Sequence, residues 1–262
     1  MKKIKNAVQY FLLIVFSIFS VFPLYYAFCR ASGGNTDITK GMILPGTEFW
    51  NHISYILFET NFLSSFLYTL SYTLLQTFLT LCICSLAGYA FEFYHNTGKD
   101  AFFKAVLVTY MLPFTSLVVP LFIMFSEVKL INTTFAMITP FIASPLIIML
   151  FRQQSRAFPM ELVEAARLDG LHEPFIFLKL YIPNMIPTFI CGIVISFLNA
   201  WNSYQWPRII MIHKEKIPMT VYLTLGKTGD TMTLVLLSML PTLILFFALQ
   251  KYFVKGMQGA VK

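Results

Sequence analysis

Long apolar runs separated by short polar stretches organise this chain. A bilayer core takes about 20 helical residues to cross. Six runs reach that length, at roughly 7–28, 66–91, 105–126, 131–151, 184–206 and 231–250. The second is longer than needed and is expected to tilt or to extend beyond the bilayer. None alternates at period two, so helices are expected rather than barrel strands. The pattern predicts an all-α membrane protein of six transmembrane helices, forming one domain over residues 1–262.

The polar interval between the fourth and fifth runs, about 158–183, carries helix signals of its own. Pro159 suits a first helical position, and Glu161 falls in the first turn, where the helix dipole favours an anion. Ala165 and Ala166 are strong helix formers with almost no side chain, so another surface can approach closely. Gly170 stands where a left-handed C-cap would end the helix. Pro174 can start a second helix that runs into Ile182-Pro183. A short ordered helix with a small-residue face is predicted to dock on something. On that reading, a bulky residue at Ala166, or Gly170→Pro, uncouples the protein while leaving it inserted. The alternative for Glu164 is an ordinary helix-surface pair with Arg167.

Charge sets the orientation. With an even number of spans both termini share a side. Lys and Arg concentrate on that side, at Lys2, Lys3, Lys5, Lys99, Arg152 and Arg156 among others. By the positive-inside rule both termini, and the 158–183 loop, are expected in the cytoplasm. The basic cluster from Arg208 to Lys227 then faces outward, as a contact for a binding protein or as a solvated loop. Hydrophobic residues make up 57% of the chain and charged residues 12%, about half the charged share of a soluble domain. The net charge of +7 is spread over loops, with no basic stripe interleaved with aromatics, so nucleic acid is not an expected partner. Cys29, Cys82, Cys84 and Cys191 show neither disulfide nor zinc spacing and read as small hydrophobes. Lys2, Lys3 and Lys5 before an apolar run imitate a secretion signal. The run is long and no small-x-small site follows closely, so an uncleaved first span is expected.

Several catalytic patterns fail on their own terms. Gly226-Lys227-Thr228 looks like the end of a phosphate-binding loop, but Val221 stands where its first Gly is needed. Gly226-x-x-Gly229-Asp230 has the wrong spacing for an intramembrane aspartyl protease and lacks a second intramembrane Asp. His172-Glu173 lacks the second His of a zinc-protease helix. No enzyme activity is expected. Apart from Glu92 near the inner end of the second run, the runs hold almost no charge, which argues against proton or sodium coupling. Energy must come from a partner.

Polar uncharged residues are plentiful in the runs. Ser71, Tyr72, Thr73, Gln76 and Thr77 lie on the second, Asn132, Thr133, Thr134, Thr139 and Ser144 on or before the fourth, and Asn199, Asn202, Ser203, Tyr204 and Gln205 at the end of the fifth. Such side chains bond between membrane helices. They also suit a sugar, whose hydroxyls need amides and hydroxyls and whose ring faces need aromatics such as Trp201 and Tyr204. Asn199, Trp201, Asn202 and Tyr204 are the candidate pathway residues, since amides and aromatics concentrate there. Pro113, Pro120, Pro140, Pro145, Pro187 and Pro241 are expected to kink helices, as hinges or simply as packing.

Glu164-Ala165-Ala166, then Gly170, then Leu180, Ile182 and Pro183 resemble the EAA loop of the membrane subunits of bacterial ABC importers. Leu130-Ile131-Asn132-Thr133, Phe197 to Asn202 with Trp206-Pro207, and the end from Lys255-Gly256 to Lys262 are similar to segments of carbohydrate importers of the maltose-permease type. The likeness covers most of the chain from about Phe62. It departs at Ser203, where the family usually carries an acidic residue. The resemblance implies a permease subunit of an ATP-driven sugar importer in the bacterial inner membrane, with a cytoplasmic coupling-helix loop between spans 4 and 5. It implies Glu164, Ala165, Ala166, Gly170 and Pro183 as ATPase-coupling residues. It also implies a second permease, two ATPase subunits that hold ATP and magnesium, and an extracytoplasmic solute-binding protein as partners. This chain itself then needs no cofactor or metal. A permease for a non-sugar solute such as a peptide or phosphate, and a membrane scaffold or receptor, are the alternatives.

Overall fold

The apolar runs fold as helices, three of them interrupted, and no strand occurs among the described residues. The computed structural model describes residues 2–34, 43–94, 96–212, 217–225 and 228–259. Its helices are α1 (Lys2–Ser32), α2 (Phe49–Glu59), α3 (Phe62–Phe93), α4 (Thr97–Tyr110), α5 (Phe114–Glu127), α6 (Thr134–Ile138), α7 (Pro145–Ser155), α8 (Met160–Leu168), α9 (Glu173–Ile176), α10 (Ile182–Asn184), α11 (Ile186–Trp201), α12 (Gln205–Ile210), α13 (Met219–Tyr222) and α14 (Thr228–Gly259). Lys40, Lys214, Lys216, Gly226-Lys227 and the end Ala260-Val261-Lys262 lie outside the described residues.

Three segments are long and apolar enough to cross a bilayer unbroken: Val8–Ser32, Phe62–Phe93 and Thr231–Tyr252. The other three expected spans are bent pairs. Thr97–Tyr110 meets Phe114–Glu127 at 99°, Thr134–Phe141 meets Pro145–Ser155 at 45°, and Glu173–Asn184 meets Ile186–Trp201 at 82°. The run read as continuous over 105–126 is therefore broken. Proline is the cause at two of these breaks. Pro113 is itself extended (ψ 127°) ahead of α5. Ser144, directly before Pro145, has ψ 115°, because a residue preceding proline is driven out of the helical region. At the third break Met185 (φ −97°, ψ 10°) stands between Pro183 and Pro187. Of the six prolines expected to kink helices, Pro120 and Pro241 sit inside a helix. Pro140 lies in a 3-10 turn and Pro145 and Pro187 at helix starts.

The chain divides into two compact units, Met1–Phe66 with Val221–Pro241, and Leu67–Thr220 with Thr242–Lys262. In the first, α1 exposes apolar side chains on every side from Val8 to Phe28, as a lipid-facing span does. Its C-terminal end is tied to α2. Glu48 N–H donates to Ser32 O (3.0 Å), the His52 ring nitrogen lies 2.9 Å from Ala31 O, and the Phe28 and Phe49 rings pack at 5.1 Å.

The second unit holds two cores. One centres on Tyr72, Phe125, Met137, Trp206 and Ile210, where the Trp206 indole N–H donates to Ala136 O at 3.1 Å. Asn132 adopts a left-handed backbone (φ 62°). Its Oδ1 accepts from Ile212 N–H at 2.6 Å, and Thr133 caps α6 by accepting from Ala136 N–H at 3.1 Å. These two polar residues hold a turn together. The other core gathers Tyr89, Phe93, Phe151, Phe158, Val163, Ala166, Ile176 and Tyr181, and the loop between the fourth and fifth spans is built on it. At Gly88 α3 and α7 touch, since an added Cβ would lie 2.5 Å from Phe151 Cβ.

Candidate functional site

The 158–183 loop folds as a helix, a turn and a second short helix. Pro159 occupies the N-cap of α8 rather than its first helical position. Gly170 ends the helix with φ 78°. Leu171 N–H donates to Ala166 O (3.0 Å) and Gly170 N–H to Arg167 O (3.0 Å), the paired bonds of a Schellman cap. A Cβ at Gly170 would touch nothing within 4 Å, so the backbone alone requires glycine there. Pro174 is the second residue of α9. The helix then passes through a π-type turn at Phe177–Tyr181 and reaches the exposed Pro183.

Burial splits α8 into two faces. Val163 and Ala166 are buried in this chain's own aromatic core, with Phe158, Ile176 and Tyr181. Glu161, Leu162, Glu164, Ala165 and Leu168 are exposed, and Leu168 is 89% exposed. Of the two alanines expected to form a small-residue docking face, Ala165 is exposed and Ala166 is buried in this chain's own core.

Glu164 forms no ion pair among the described residues, and Arg167 turns to Glu173 instead. Arg167 Nε donates to Glu173 Oε1 at 2.6 Å, and the Tyr89 hydroxyl donates to Glu173 Oε2 at 2.8 Å. Burial opposes ionisation of Glu173. The hydrogen bonds from Arg167 and Tyr89, with the Arg167 charge, outweigh it and hold the carboxyl below its ordinary range. The bond to Glu173 raises the Arg167 guanidinium in turn. Arg167 Nη2 is buried without a hydrogen-bond partner, and its guanidinium lies 5.2 Å from the Tyr94 ring centroid, a cation–π contact.

A second charged cluster joins α3, α4 and α7. Arg152, only 7% exposed, donates to Glu92 at 3.2 Å and to Asp100, and lies 4.3 Å from the Phe103 ring centroid. Arg156 reaches Glu92 at 3.4 Å. The Arg152 charge is thus satisfied by two carboxylates and a ring, as a buried cation requires.

A cavity of about 520 Å³ opens between α3, α4, α5, α7 and α11. Its polar lining includes Gln76, Thr80, Thr109, Ser144, Ser196 and Asn199, beside Tyr110, Phe114 and Phe141. Gln76 and Ser196 are 5% and 3% exposed and have no side-chain hydrogen bond among the described residues. Buried amides and hydroxyls are ordinarily bonded, so these groups are free to meet a polar solute or water.

Of the four expected pathway residues, only Asn199 lines this cavity. Trp201 is buried and stacked on Phe197 at 5.8 Å and 7°. Asn202 caps α11. Tyr204 is partly exposed with Arg208 5.7 Å from its ring centroid. Gln76 and Ser144 were legible among the polar residues of their spans. Thr109, Tyr110 and Ser196 were missed, since isolated hydroxyls on apolar helices carry no signal of a shared cavity. No group of three or more metal-ligating side chains occurs among the described residues.

Comparisons with known proteins agree on a family. The model for the binding-protein-dependent transport system inner membrane component matches residues 84–259. A lactose transport system permease protein, LacG, of Rhizobium radiobacter is 35% identical over all of this chain and 98% of its own length. An arabinooligosaccharides transport system permease protein, AraQ, of Halalkalibacterium halodurans is 31% identical over 93% of this chain and 91% of its own. An sn-glycerol-3-phosphate transport system permease protein, UgpE, of Pectobacterium atrosepticum is 26% identical over 96% of this chain and 95% of its own. In fold, the chain superposes on a bacterial ABC transporter involved in the import of the acidic polysaccharide alginate. The TM-score is 0.86, with 24% identity over 96% of this chain and 97% of that one.

Proposed function

For a chain that belongs to the binding-protein-dependent transport system inner membrane component family, we propose the role of one permease subunit in an ATP-driven importer of sugars or oligosaccharides. The family's membrane subunits are not themselves catalytic. The importer is completed by a second related permease, two ATPase subunits carrying ATP and magnesium, and an extracytoplasmic solute-binding protein. Counting each bent pair as one span gives six, with both termini and α8 in the cytoplasm of a multi-pass protein of the bacterial inner membrane.

The observation that carries this reading is the split of α8. Its inner face is locked into the chain's own core, while its outer face offers Leu162, Glu164, Ala165 and Leu168 to another protein. A helix held rigidly on one side and bare on the other can convert the closing of an ATPase dimer into movement of the spans, a two-state transition. Gly170 and Pro183 shape the loop behind that face. For the cargo, the support is the relatives' names together with a cavity whose unbonded amides and hydroxyls sit beside aromatic rings. Asn199 of the fifth span is the pathway residue that meets it, with Trp201, Asn202 and Tyr204 as its scaffold.

Co-purification from the native membrane tests the role. An ATPase and a second permease are expected in the complex, with hydrolysis stimulated by a sugar-loaded binding protein. A chain that purifies with no ATPase contradicts it. Gln76→Ala and Asn199→Ala are expected to lower sugar uptake ~3- to 10-fold with the complex intact, from the loss of one or two hydrogen bonds. Unchanged uptake in both removes the cavity from the pathway.

A further inference from the structure

Glu173 lies three residues beyond Gly170 and fills none of the loop's motif positions, yet it binds two helices at once. Its Oε1 accepts from Arg167 on α8 (2.6 Å) and its Oε2 from Tyr89 on α3 (2.8 Å). Hydrogen bonds to an ionised carboxylate are the strong ones. Both oxygens are engaged on different elements, so the carboxylate fixes α8 relative to α3.

The chain path out of the loop is a poor transmitter by comparison. On the far side the helix passes a π-type turn at Phe177–Tyr181 and then bends by 82° before α11. On the near side Pro159 is extended. In contrast, α3 runs unbroken from Phe62 to Phe93 with no proline. It carries Tyr89 near the loop and both Gln76 and Thr80 in the cavity lining. Tyr89 and Gln76 are about 20 Å apart along that helix at 1.5 Å per residue.

We propose that Glu173 and Tyr89 form the joint that passes movement of α8 to the second span, so that α3 is the lever between the ATPase-facing loop and the cavity. The proposal rests on the reading of α8 as the ATPase contact. Tyr89 and Glu173 are positioning residues and touch neither nucleotide nor solute. The Tyr89 ring is held independently, 4.6 Å from Phe93, 5.4 Å from Phe177 and 5.0 Å from Tyr181 between centroids. Removing its hydroxyl alone therefore leaves the packing in place.

The test uses the assembled transporter in proteoliposomes, with solute uptake and ATP hydrolysis measured together. Tyr89→Phe is expected to lower uptake per ATP hydrolysed about tenfold, the effect of one hydrogen bond to a charged group, while the melting temperature and subunit composition stay as in the unsubstituted complex. Glu173→Gln is expected to act in the same direction, and the double variant to be no worse than Glu173→Gln alone. The paired change Arg167→Leu with Glu173→Leu keeps an apolar contact inside the loop but leaves the Tyr89 hydroxyl neither donor nor acceptor at position 173, so it is expected not to restore uptake per ATP. A wild-type ratio in Tyr89→Phe, or a wild-type ratio in the paired leucine variant, overturns the joint and leaves Glu173 a staple within the loop. An unsubstituted complex with no ATPase in it fails earlier and overturns the role of α8 as well.

Discussion

Successive residues of an α-helix are rotated by ~100°, so Ala165 and Ala166 meet different surroundings despite identical chemistry. A bulky residue at Ala166 has to displace Val163, Phe158 or Ile176, and overpacking a close-packed core costs about 1–3 kcal/mol. Ala166→Phe is accordingly expected to lower the melting temperature of the purified complex and, with it, hydrolysis and uptake together. Leu168→Asp, on the bare face, is expected to leave the melting temperature unchanged and to lose the ATPase on purification. The reverse assignment would show that the faces of α8 are exchanged. Gly170 was readable in the sequence, because a glycine after a helical pattern marks the left-handed cap. The burial of Ala166 was not readable, since it depends on Tyr89 and Phe93 of α3, far away along the chain, and on Ile176, Phe177 and Tyr181 folded back beyond the turn at Gly170. The pairing of Arg167 with Glu173 rather than Glu164 was hidden for the same reason. The i, i+3 rule sees only the helix surface, and the turn at Gly170 brings a competing carboxylate within reach.

At the scale of elements, the six apolar runs were legible from hydropathy alone, but the breaks inside three of them were not. Hydropathy counts residues and is blind to direction. Pro113 and Pro145 showed where bending was to be expected, though not that the chain would turn by 99° at one and 45° at the other. The short helix α2 escaped because it lies in a polar interval between two apolar runs. The junction of α8, α9 and α3 has a pH signature. The Glu173 carboxyl is held below its ordinary value of about 4.3 in the folded protein, so acid protonates it in the unfolded chain first. Its contribution to stability is complete above that ordinary value and is lost as pH falls through the lower folded value. Melting of the purified complex against pH is expected to show an acid limb that is reduced in Glu173→Gln. An identical limb in both would assign the acid sensitivity to other groups, such as the Glu92–Arg152–Asp100 cluster.

For the whole molecule, apolar side chains stand bare along α1 and on the outer face of α8. The family was legible from the resemblance carried by the Glu-Ala-Ala…Gly motif, of which the helix and its glycine cap stand in the structure. The cavity was legible only in part. Asn199 and Gln76 stand out as amides in apolar spans, whereas Trp201 and Tyr204 look equally suited to a sugar and are drawn instead into packing and a cation–π contact. The account stands or falls on the outer face of α8 being the ATPase contact. Its most direct test is cross-linking in the assembled complex, with a single cysteine introduced by Glu164→Cys and, as a control beyond the other end of α11, by Tyr204→Cys, in a background with the native cysteines replaced. The contact predicts that a maleimide reagent on position 164, carrying a photoactivated second group that inserts into neighbouring C–H bonds, bridges to the ATPase subunit on illumination, and that the same reagent on position 204 does not. An ATPase that co-purifies but bridges only to 204, or to neither, would contradict it.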